Sequence, residues 1–405
     1  MGGRSRRKAD LSTASAATQA LVHANVMELV PYTLHMDYSH WGYDELVRTI
    51  LPADLLDDAP GAFSQAGHLA HVNLRAAYLP YKHLLAQLIL DKNPTIRTVV
   101  NKIEDVGAHS VFRTFPMEVL AGPADTVVTV KESNCSFVFD FAKVYWNTRL
   151  AHEHERLIAR FSPGEAVCDV MAGVGPFAVP AGKKGVFVWA NDLNPDSYAA
   201  LTLNIARNKV APFVRPYNVD GRLFIRQSIR ALHAPPDSAP AVVVVPLPPA
   251  KKGRHSQQQP RVVPLPAAFA HFVMNLPASA VEFLDAFRGA YQGLEHLFAG
   301  GSGDSTSTSA SSGGDGGGGS SSSNNSNSSG TLQLPLIHVH TFHRETPERG
   351  EGFAKQDIVA AISHHLGCSV DAQQVDLHAV RRVAPSKAMY CACFRLPAQA
   401  AFASC

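Results

Sequence analysis

From about residue 146 onward the sequence repeats one unit, a short apolar run that ends in polar residues and precedes helical spacing of apolar side chains. The runs AVCDVMAG, GVFVWANDLNP and HFVMNLPA are of this kind, and SYAALTLNIARNK and AVEFLDAFRGAYQGLEHLF have the helical spacing. Such alternation favours a mostly parallel sheet with helices on both faces. We therefore predict an α/β fold with a doubly wound, Rossmann-like sheet that binds ligands at the carboxyl ends of its strands.

The turn after the first of these strands is the candidate ligand site. In DVMAGVGPFAVPAG, residues 169–182, Gly173 and Gly175 free the backbone just before a helix can begin. Asp192 lies 19 residues beyond Gly173, a spacing at which a carboxylate can accept from both hydroxyls of a ribose. A nicotinamide nucleotide and S-adenosylmethionine both carry such a ribose, so the spacing leaves both open.

Further polar residues favour the methyl donor. Asp169, directly before the turn, would repel a pyrophosphate and attract a sulfonium ligand that carries an amino group. Asp220, in NVDGRLF, is a suitable acceptor for an adenine amine. In MNLPA, Pro277 keeps the chain extended and directs Asn275 into the cleft. This element is related to the Asn-Pro-Pro-aromatic motif of enzymes that methylate planar amines, with Ala278 in place of the aromatic residue.

Composition divides the chain into regions. The first, residues 1–24, is rich in Arg, Ser and Ala, which is typical of either a disordered tail or an organelle transit segment. Residues 25–145 mix helical spacing, in YDELVRTIL and YKHLLAQLILDKNPTIRTVVNKI, with the strand alternation of DTVVTVKESNCSFVFDF. Residues 146–402 form the predicted α/β domain, with polar, Pro-rich or Gly/Ser-rich insertions at 233–262 and 301–330 that we expect to be disordered.

The net charge, the length of the apolar runs and the cysteine content exclude some partners and sites. The net charge of +2 gives no global basic field, so local patches must hold any polyanion. No apolar run approaches the roughly 20 residues that cross a bilayer. The six cysteines form no CxxC pair and are typical of reduced thiols in an intracellular protein. No cysteine pair accompanies the histidines of LIHVHTFHRE, so we predict a late strand there and no metal site.

With these pieces placed, the chain resembles the eukaryotic and archaeal tRNA (guanine-N1)-methyltransferases that modify the guanine 3′ of the anticodon. The resemblance covers most of residues 27–395 apart from the insertions, in GHLAHVNLR, LPYKHLLAQLILDKNP, FRTFPMEVLAG, DFAKVYWNTRLAHEHERL, DVMAGVGPFAVP, NDLNPDSY, VDGRLF and MNLPASAVEFL. It implies a class I methyltransferase domain preceded by smaller α+β domains that bind tRNA. It also implies S-adenosyl-L-methionine as the cofactor and tRNA as the partner, and we expect a monomer.

The resemblance also assigns site residues. It places cofactor contacts on His154, Asp192, Leu193, Asp220, Gly221 and Asn275, and the glycine turn adds Asp169 and Gly173. It implies that Glu153 is the proton acceptor and Arg113 the catalytic arginine, and we count Asn275 with them. Methylation of guanine N1 needs a base and a cation, because N1 must lose a proton as the methyl group is transferred while negative charge builds on O6.

Alternatives remain open at this stage. Glu155 rivals Glu153 because HEHER offers two acids, and Glu153 alone would be taken for a helical carboxylate paired with Arg156 or Arg149. The rival functions are a wybutosine-pathway aminocarboxypropyl transferase, a non-catalytic RNA-binding scaffold and an NAD-dependent oxidoreductase. We expect the protein in the cytoplasm, with the mitochondrial matrix and nucleus also open.

Overall fold

In a computed structural model the chain folds as two units, Met1–Asp105 with Phe115–Thr126, and Val106–Thr114 with Val127–Cys405. The division after residue 126 falls earlier in the chain than the boundary at 145 that we predicted. No helix among the described residues is long and apolar enough to cross a membrane. The structure describes residues 11–28, 30, 36–103, 112, 114, 116–233, 242–245, 261–298, 332–344 and 353–404.

The first unit is built on a four-stranded sheet with three helices. Its elements are α1 (Ala16–His23), α2 (Tyr43–Ile50), β1 (Ser64–Ala66), β2 (Leu69–Val72), α3 (Lys82–Lys92), β3 (Thr98–Lys102) and β4 (Met117–Ala121). The strand order is β1-β2-β3-β4, and only the pair β2–β3 is parallel. The unit therefore has the mixed α+β character predicted for the N-terminal region.

Two expectations for this unit need correction. Within 1–24, predicted as either a disordered tail or a transit segment, α1 forms with no buried residue, and the Ser15 hydroxyl accepts from the Thr18 amide at 3.2 Å. A serine at this position is a good helix N-cap, a signal that the composition hid. The helical spacing of YKHLLAQLILDKNPTIRTVVNKI describes only its first half, because α3 ends ahead of Pro94 and β3 follows.

The second unit contains the remaining regular structure. Its elements are β5 (Val127–Glu132), β6 (Cys135–Asp140), α4 (Ala151–Arg160), β7 (Ala166–Asp169), α5 (Ala178–Lys184), β8 (Phe187–Asn191), α6 (Pro195–Arg207), β9 (Val214–Tyr217), α7 (Gly221–His233), β10 (Val242–Val245), β11 (Arg261–Pro264), β12 (Phe269–Met274), β13 (Leu336–Arg344), α8 (Ala354–Leu366), β14 (Asp376–Ala384), β15 (Lys387–Arg395) and α9 (Ala398–Ala401). The hairpin β5–β6 turns at Ser133 and Asn134, both at positive φ, as predicted.

A seven-stranded sheet in the order β14-β15-β13-β12-β7-β8-β9 organises this unit. The strands from β13 to β9 run parallel, whereas β15 is antiparallel to both β13 and β14. Strands β7 and β8 are buried throughout, as expected of a sheet covered on both faces. The strand order reverses between β7 and β12, and in such sheets the ligand crevice opens at that switch point. The predicted α/β fold is confirmed.

Other details of this unit differ from the sequence prediction. Part of the insertion 233–262 is ordered, since β10 pairs antiparallel with β11. The segment AVEFLDAFRGAYQGLEHLF forms 3₁₀ turns, the longest at Ala280–Phe287, instead of one α-helix. Its backbone forms hydrogen bonds with α9, in which the amides of Gly289 and Tyr291 donate to the carbonyls of Ala400 and Ala401. The insertion 301–330 lies outside the described residues.

Candidate active site

A cavity of about 270 Å³ opens at the carboxyl ends of the parallel strands, beside the switch point between β7 and β12. Loops after β7, β8, β9 and β12 each contribute to its wall. The residues predicted to bind the cofactor that line it are His154, Gly173, Asp192, Leu193, Asp220, Gly221 and Asn275. Chain folding therefore gathers residues from five separate sequence motifs at one place.

The glycine turn after β7 has a backbone that only glycine adopts easily. Gly173 has φ 56° and Gly175 has φ 97°. A Cβ on Gly175 would lie 2.8 Å from side-chain atoms of Leu201 and Val179. Among the described residues, no atom lies within 4 Å of the corresponding position on Gly173, so that backbone is open to a ligand.

Asp192 ties the glycine turn to the loop after β8. Its Oδ2 accepts from the Gly173 amide at 2.8 Å, and its Oδ1 accepts from the Asn194 amide at 2.9 Å. Burial raises the pKa of Asp192, although these two hydrogen bonds and a third from the Ser197 side chain act in the opposite direction. A carboxylate has about four acceptor sites, so these three donors leave room for a ligand hydroxyl. Asp192 therefore shapes the cavity wall in addition to lining it.

Asp169 does not behave as the sequence suggested. It does not line the cavity, its side chain is fully buried, and neither carboxyl oxygen has a hydrogen-bond partner within the described part of the chain. Burial and the nearby charge of Asp192 raise its pKa well above the usual range. Because the side chain is buried and does not line the cavity, the structure shows no direct contact between Asp169 and the cavity, contrary to the expectation.

The loops after β9 and β12 supply polar and close-packed positions. Asp220 Oδ1 accepts from the amides of Arg222 and Leu223 at the start of α7, which fixes this acid at the cavity rim. A Cβ on Gly221 would lie 3.1 Å from the ring of Phe283, so a larger residue would crowd the wall. Asn275 Oδ1 is buried and has no hydrogen-bond partner among the described residues. A buried acceptor left open in a cavity wall is suited to a ligand N–H.

Glu153 lies in the first turn of α4, buried beside the cavity without lining it. Its carboxylate accepts two bonds from Arg156, at 2.6 and 2.8 Å, and lies 2.7 Å from His340 Nε2 on β13. Burial would raise its pKa, but the hydrogen bonds from Arg156 and His340 outweigh burial and lower it to about 2. The neighbouring acid Glu155 is exposed. The structure thus separates the two acids of HEHER, which the sequence could not do.

A cluster of histidines and cysteines lies behind Glu153. The predicted late strand is confirmed as β13, but its pairing with β15 sets His338 opposite Cys393 and His340 opposite Cys391. His338 Nδ1 is 3.0 Å from Cys393 Sγ, and the two sulfurs are 3.6 Å apart. Our prediction that no cysteine pair accompanies these histidines is therefore wrong, because the fold brings Cys391 and Cys393 beside them from a distant part of the sequence. Two groups of three potential ligands lie within 4.8 Å in the described residues, and neither reaches the four of a structural zinc site.

Arg113, the predicted catalytic arginine, lies outside the described residues. Sequence reasoning missed an aromatic and amide part of the cavity wall formed by Phe112, Tyr145, Trp146 and Asn147. It also missed Glu132, whose Oε1 is 2.6 Å from His154 Nδ1. All five stand in stretches that the sequence analysis quotes but were given no role there, namely FRTFPMEVLAG, DTVVTVKESNCSFVFDF and DFAKVYWNTRLAHEHERL.

Known protein families and solved structures resemble this chain. Two family models match the chain, the TYW2 N-terminal domain over residues 43–126 and the TRM5/TYW2 methyltransferase domain over residues 128–233. The crystal structure of wild-type Trm5b from Pyrococcus abyssi is similar with a TM-score of 0.57 at 21% identity, over 91% of this chain and 84% of that chain. The structure of aTrm5 with tRNALeu gives a TM-score of 0.57 at 17% identity, over 93% and 86%.

The sheet order, the cavity at the switch point and the match of residues 128–233 to the methyltransferase-domain model define a class I methyltransferase, and the solved structures share its fold. The tRNA (guanine(37)-N(1))-methyltransferase of Neurospora crassa is 45% identical over 397 residues, covering 96% of this chain and 77% of that protein. The protein of the same name from Schizosaccharomyces pombe is 47% identical over 394 residues, covering 96% and 80%. The chain belongs to the tRNA (guanine(37)-N(1))-methyltransferase family.

Proposed function

We propose that this chain transfers a methyl group from S-adenosyl-L-methionine to N1 of the guanine at tRNA position 37. The observation that carries the proposal is the cavity at the switch point, walled by Asp192, Asp220 and Asn275. It occurs in a chain that is 45% identical, over 96% of its length, to a protein named for that reaction.

The cavity wall fits a nucleoside-type methyl donor. Asp192 and Asp220 offer carboxylate oxygens to hydroxyl and amine hydrogens, and the open backbone at Gly173 allows close approach. Leu193, 46% exposed on the wall, offers an apolar face to a base. When bound, S-adenosyl-L-methionine supplies an electrophilic methyl group on a sulfonium centre. Asn275 Oδ1 stays available to orient an N–H group at the reacting end.

Glu153 is our candidate for the proton acceptor. Its pKa of about 2 keeps it ionised near neutral pH, and Leu150 and His154, on the same turn of chain, line the cavity. We propose that the guanine N1–H replaces one of its present donors when substrate binds. Losing a donor raises the pKa of the carboxylate and makes it a stronger base. The N1 proton then passes to Glu153 as the bond from N1 to the methyl carbon forms and the bond from that carbon to sulfur breaks.

The proposal also gives roles to Arg113 and to the N-terminal region. A guanidinium near O6 would stabilise the charge that builds there, and Arg113 is the candidate from the resemblance. Phe112, its neighbour in the chain, lines the cavity. We propose that residues 25–145 include the tRNA-binding part, since residues 43–126 match the TYW2 N-terminal domain.

The alternative is transfer of the aminocarboxypropyl group to the same tRNA position. The methyltransferase-domain model matched here covers both the TRM5 and TYW2 types. Relatives that align over nearly the whole chain at 41–47% identity, however, carry the guanine-N1 methyltransferase name. The element MNLPA with its open Asn275 acceptor also favours methyl transfer.

The substrate is tested with two tRNA transcripts that differ only in the base 3′ of the anticodon. The purified chain, given S-adenosyl-L-methionine labelled in the methyl group, should label the guanine transcript and leave the adenine transcript unlabelled. Equal labelling of both transcripts would contradict the assignment of the target base. No labelling of either transcript would contradict methyl transfer to tRNA.

The role of Glu153 is tested by single-turnover methyl transfer. Glu153→Gln keeps the size of the side chain but cannot accept a proton near neutral pH, so the rate should fall by about 10²–10⁴. Affinities for cofactor and tRNA should change much less, and higher pH should restore part of the rate. The exposed Glu155→Gln is the matched control and should stay near wild type. A full rate for Glu153→Gln would show that its carboxylate is structural.

A further inference from the structure

A second buried carboxylate lies behind the cavity wall. Glu132 ends β5 and does not itself line the cavity. Its side chain is 8% exposed, and that of His154, which does line the cavity, is 4% exposed. Glu132 Oε1 lies 2.6 Å from His154 Nδ1. Glu132 is therefore connected to the cavity through the imidazole of His154.

Aromatic neighbours hold the His154 ring in place. The ring of Phe177 meets it edge-on, with centroids 4.8 Å apart and planes at 79°, and Trp146 lies 6.5 Å away. Both aromatic residues also line the cavity. A ring confined in this way turns little, so the contact of Nδ1 with Glu132 leaves Nε2 as the ring nitrogen that can contact a ligand.

The chemistry of the pair determines what His154 presents. An ionised carboxylate only accepts hydrogen bonds, so the short contact places a hydrogen on Nδ1. In the neutral imidazole the lone pair is then on Nε2, which becomes an acceptor for a hydroxyl or amine hydrogen.

We propose that Glu132 is a positioning residue that fixes His154 with Nε2 as a hydrogen-bond acceptor for the methyl donor. This inference rests on the proposed function, because it takes the ligand of the cavity to be S-adenosyl-L-methionine. It assigns Glu132 to cofactor affinity and not to tRNA binding or proton removal. Glu132 and Glu153 thus have separate tasks, although both bind side chains close to the same cavity.

The inference is tested by calorimetric titration of the full chain with S-adenosyl-L-methionine. Glu132→Leu should raise the dissociation constant by roughly tenfold to hundredfold, the usual effect of losing a hydrogen bond to a charged group. Glu132→Gln should recover part of the affinity, because its amide oxygen can accept from Nδ1. The KM for tRNA and the single-turnover rate at saturating cofactor should stay near wild type. Glu165→Gln is the control, since Glu165 lies 3.4 Å from His271 and does not line the cavity.

A double-mutant cycle separates positioning from a merely structural role. If Glu132 acts through His154, Glu132→Leu should cause no further loss of affinity in a His154→Asn background. The same loss in both backgrounds would overturn the inference. If Glu132→Leu does not fold, Glu132→Gln takes its place in the same cycle. Unchanged cofactor affinity in both Glu132→Gln and His154→Asn would also overturn the inference. A wild-type chain that does not bind the cofactor would instead contradict the proposed function.

Discussion

Asp192 combines two tasks in one side chain. Its oxygens accept from the amides of Gly173 and Asn194, and the same carboxylate lines the cavity. Replacing it would remove the proposed ligand contact and would also release the glycine turn. An acid such as Asp371, which accepts from the Gln373 amide, stabilises a local turn but has no place in the cavity wall.

We expect Asp192→Ala to weaken binding of S-adenosyl-L-methionine by about 1.5–3 kcal/mol, which is the usual value of hydrogen bonds to a charged group. Calorimetry measures this directly. Asp371→Ala, whose residue does not line the cavity, should leave the affinity near wild type. Unchanged affinity for Asp192→Ala would remove this acid from the proposed binding site.

At the scale of elements, the network around Glu153 joins helix α4 to strand β13. The carboxylate lies between Arg156 on its own helix and His340 on the strand. The folded-state pKa of about 2 lies below the usual value of 4.5. A lowered carboxyl pKa contributes stability that is complete above the unfolded value and is lost as pH falls through the folded value.

The pH dependence of unfolding checks this contribution. Between about pH 4.5 and pH 2 the network should lose about 3 kcal/mol of the free energy of unfolding, given 1.36 kcal/mol for each pKa unit. Glu153→Gln lacks the titrating group, so the gap in denaturant midpoint between it and wild type should narrow over that range. A gap that stays constant from pH 7 to pH 2 would mean that Glu153 has an ordinary pKa.

The turn between β7 and α5 gives a second prediction for the elements. Gly175→Ala should destabilise the protein by about 1–3 kcal/mol, because it forces a side chain into a positive-φ position against Leu201 and Val179. Gly164→Ala is the matched control, with φ 88° and nothing within 4 Å of its Cβ position. Thermal melting should rank Gly175→Ala below Gly164→Ala. Equal melting temperatures would show that the turn can relax away from the clash.

The sequence predicted those elements whose signal is local. The strands β7, β8 and β12 and the turn at Ser133 follow from short patterns in neighbouring residues. The pairing of β13 with β15 joins residues about 50 positions apart, so the meeting of His338 with Cys393 had no local signal. The same holds for Glu132 and His154, which hydrogen-bond from different elements. The resemblance assigned a role to Glu153, but its burial and ion pair required the fold.

At the scale of the whole molecule, the insertion 301–330 is the segment with the least capacity to bury apolar surface, since it contains Gly, Ser, Asn, Asp and Thr with a single Ala. Deleting residues 303–328 should leave the melting temperature and the rate of methyl transfer nearly unchanged, because the closure entropy of a chain segment changes slowly with its length. Melting curves and tRNA titrations of the deletion variant measure both. A large fall in tRNA affinity would identify the segment as part of the RNA-binding surface.

The central claim is that this cavity transfers a methyl group, and a double-label assay tests it most directly. The cofactor carries tritium in its methyl group and carbon-14 in its aminocarboxypropyl group, and the tRNA transcript has guanine at position 37. After digestion to nucleosides, we predict tritium in N1-methylguanosine and no carbon-14 in the RNA. Carbon-14 in the modified nucleoside would contradict the account in favour of aminocarboxypropyl transfer, and unlabelled RNA would contradict transfer of either group.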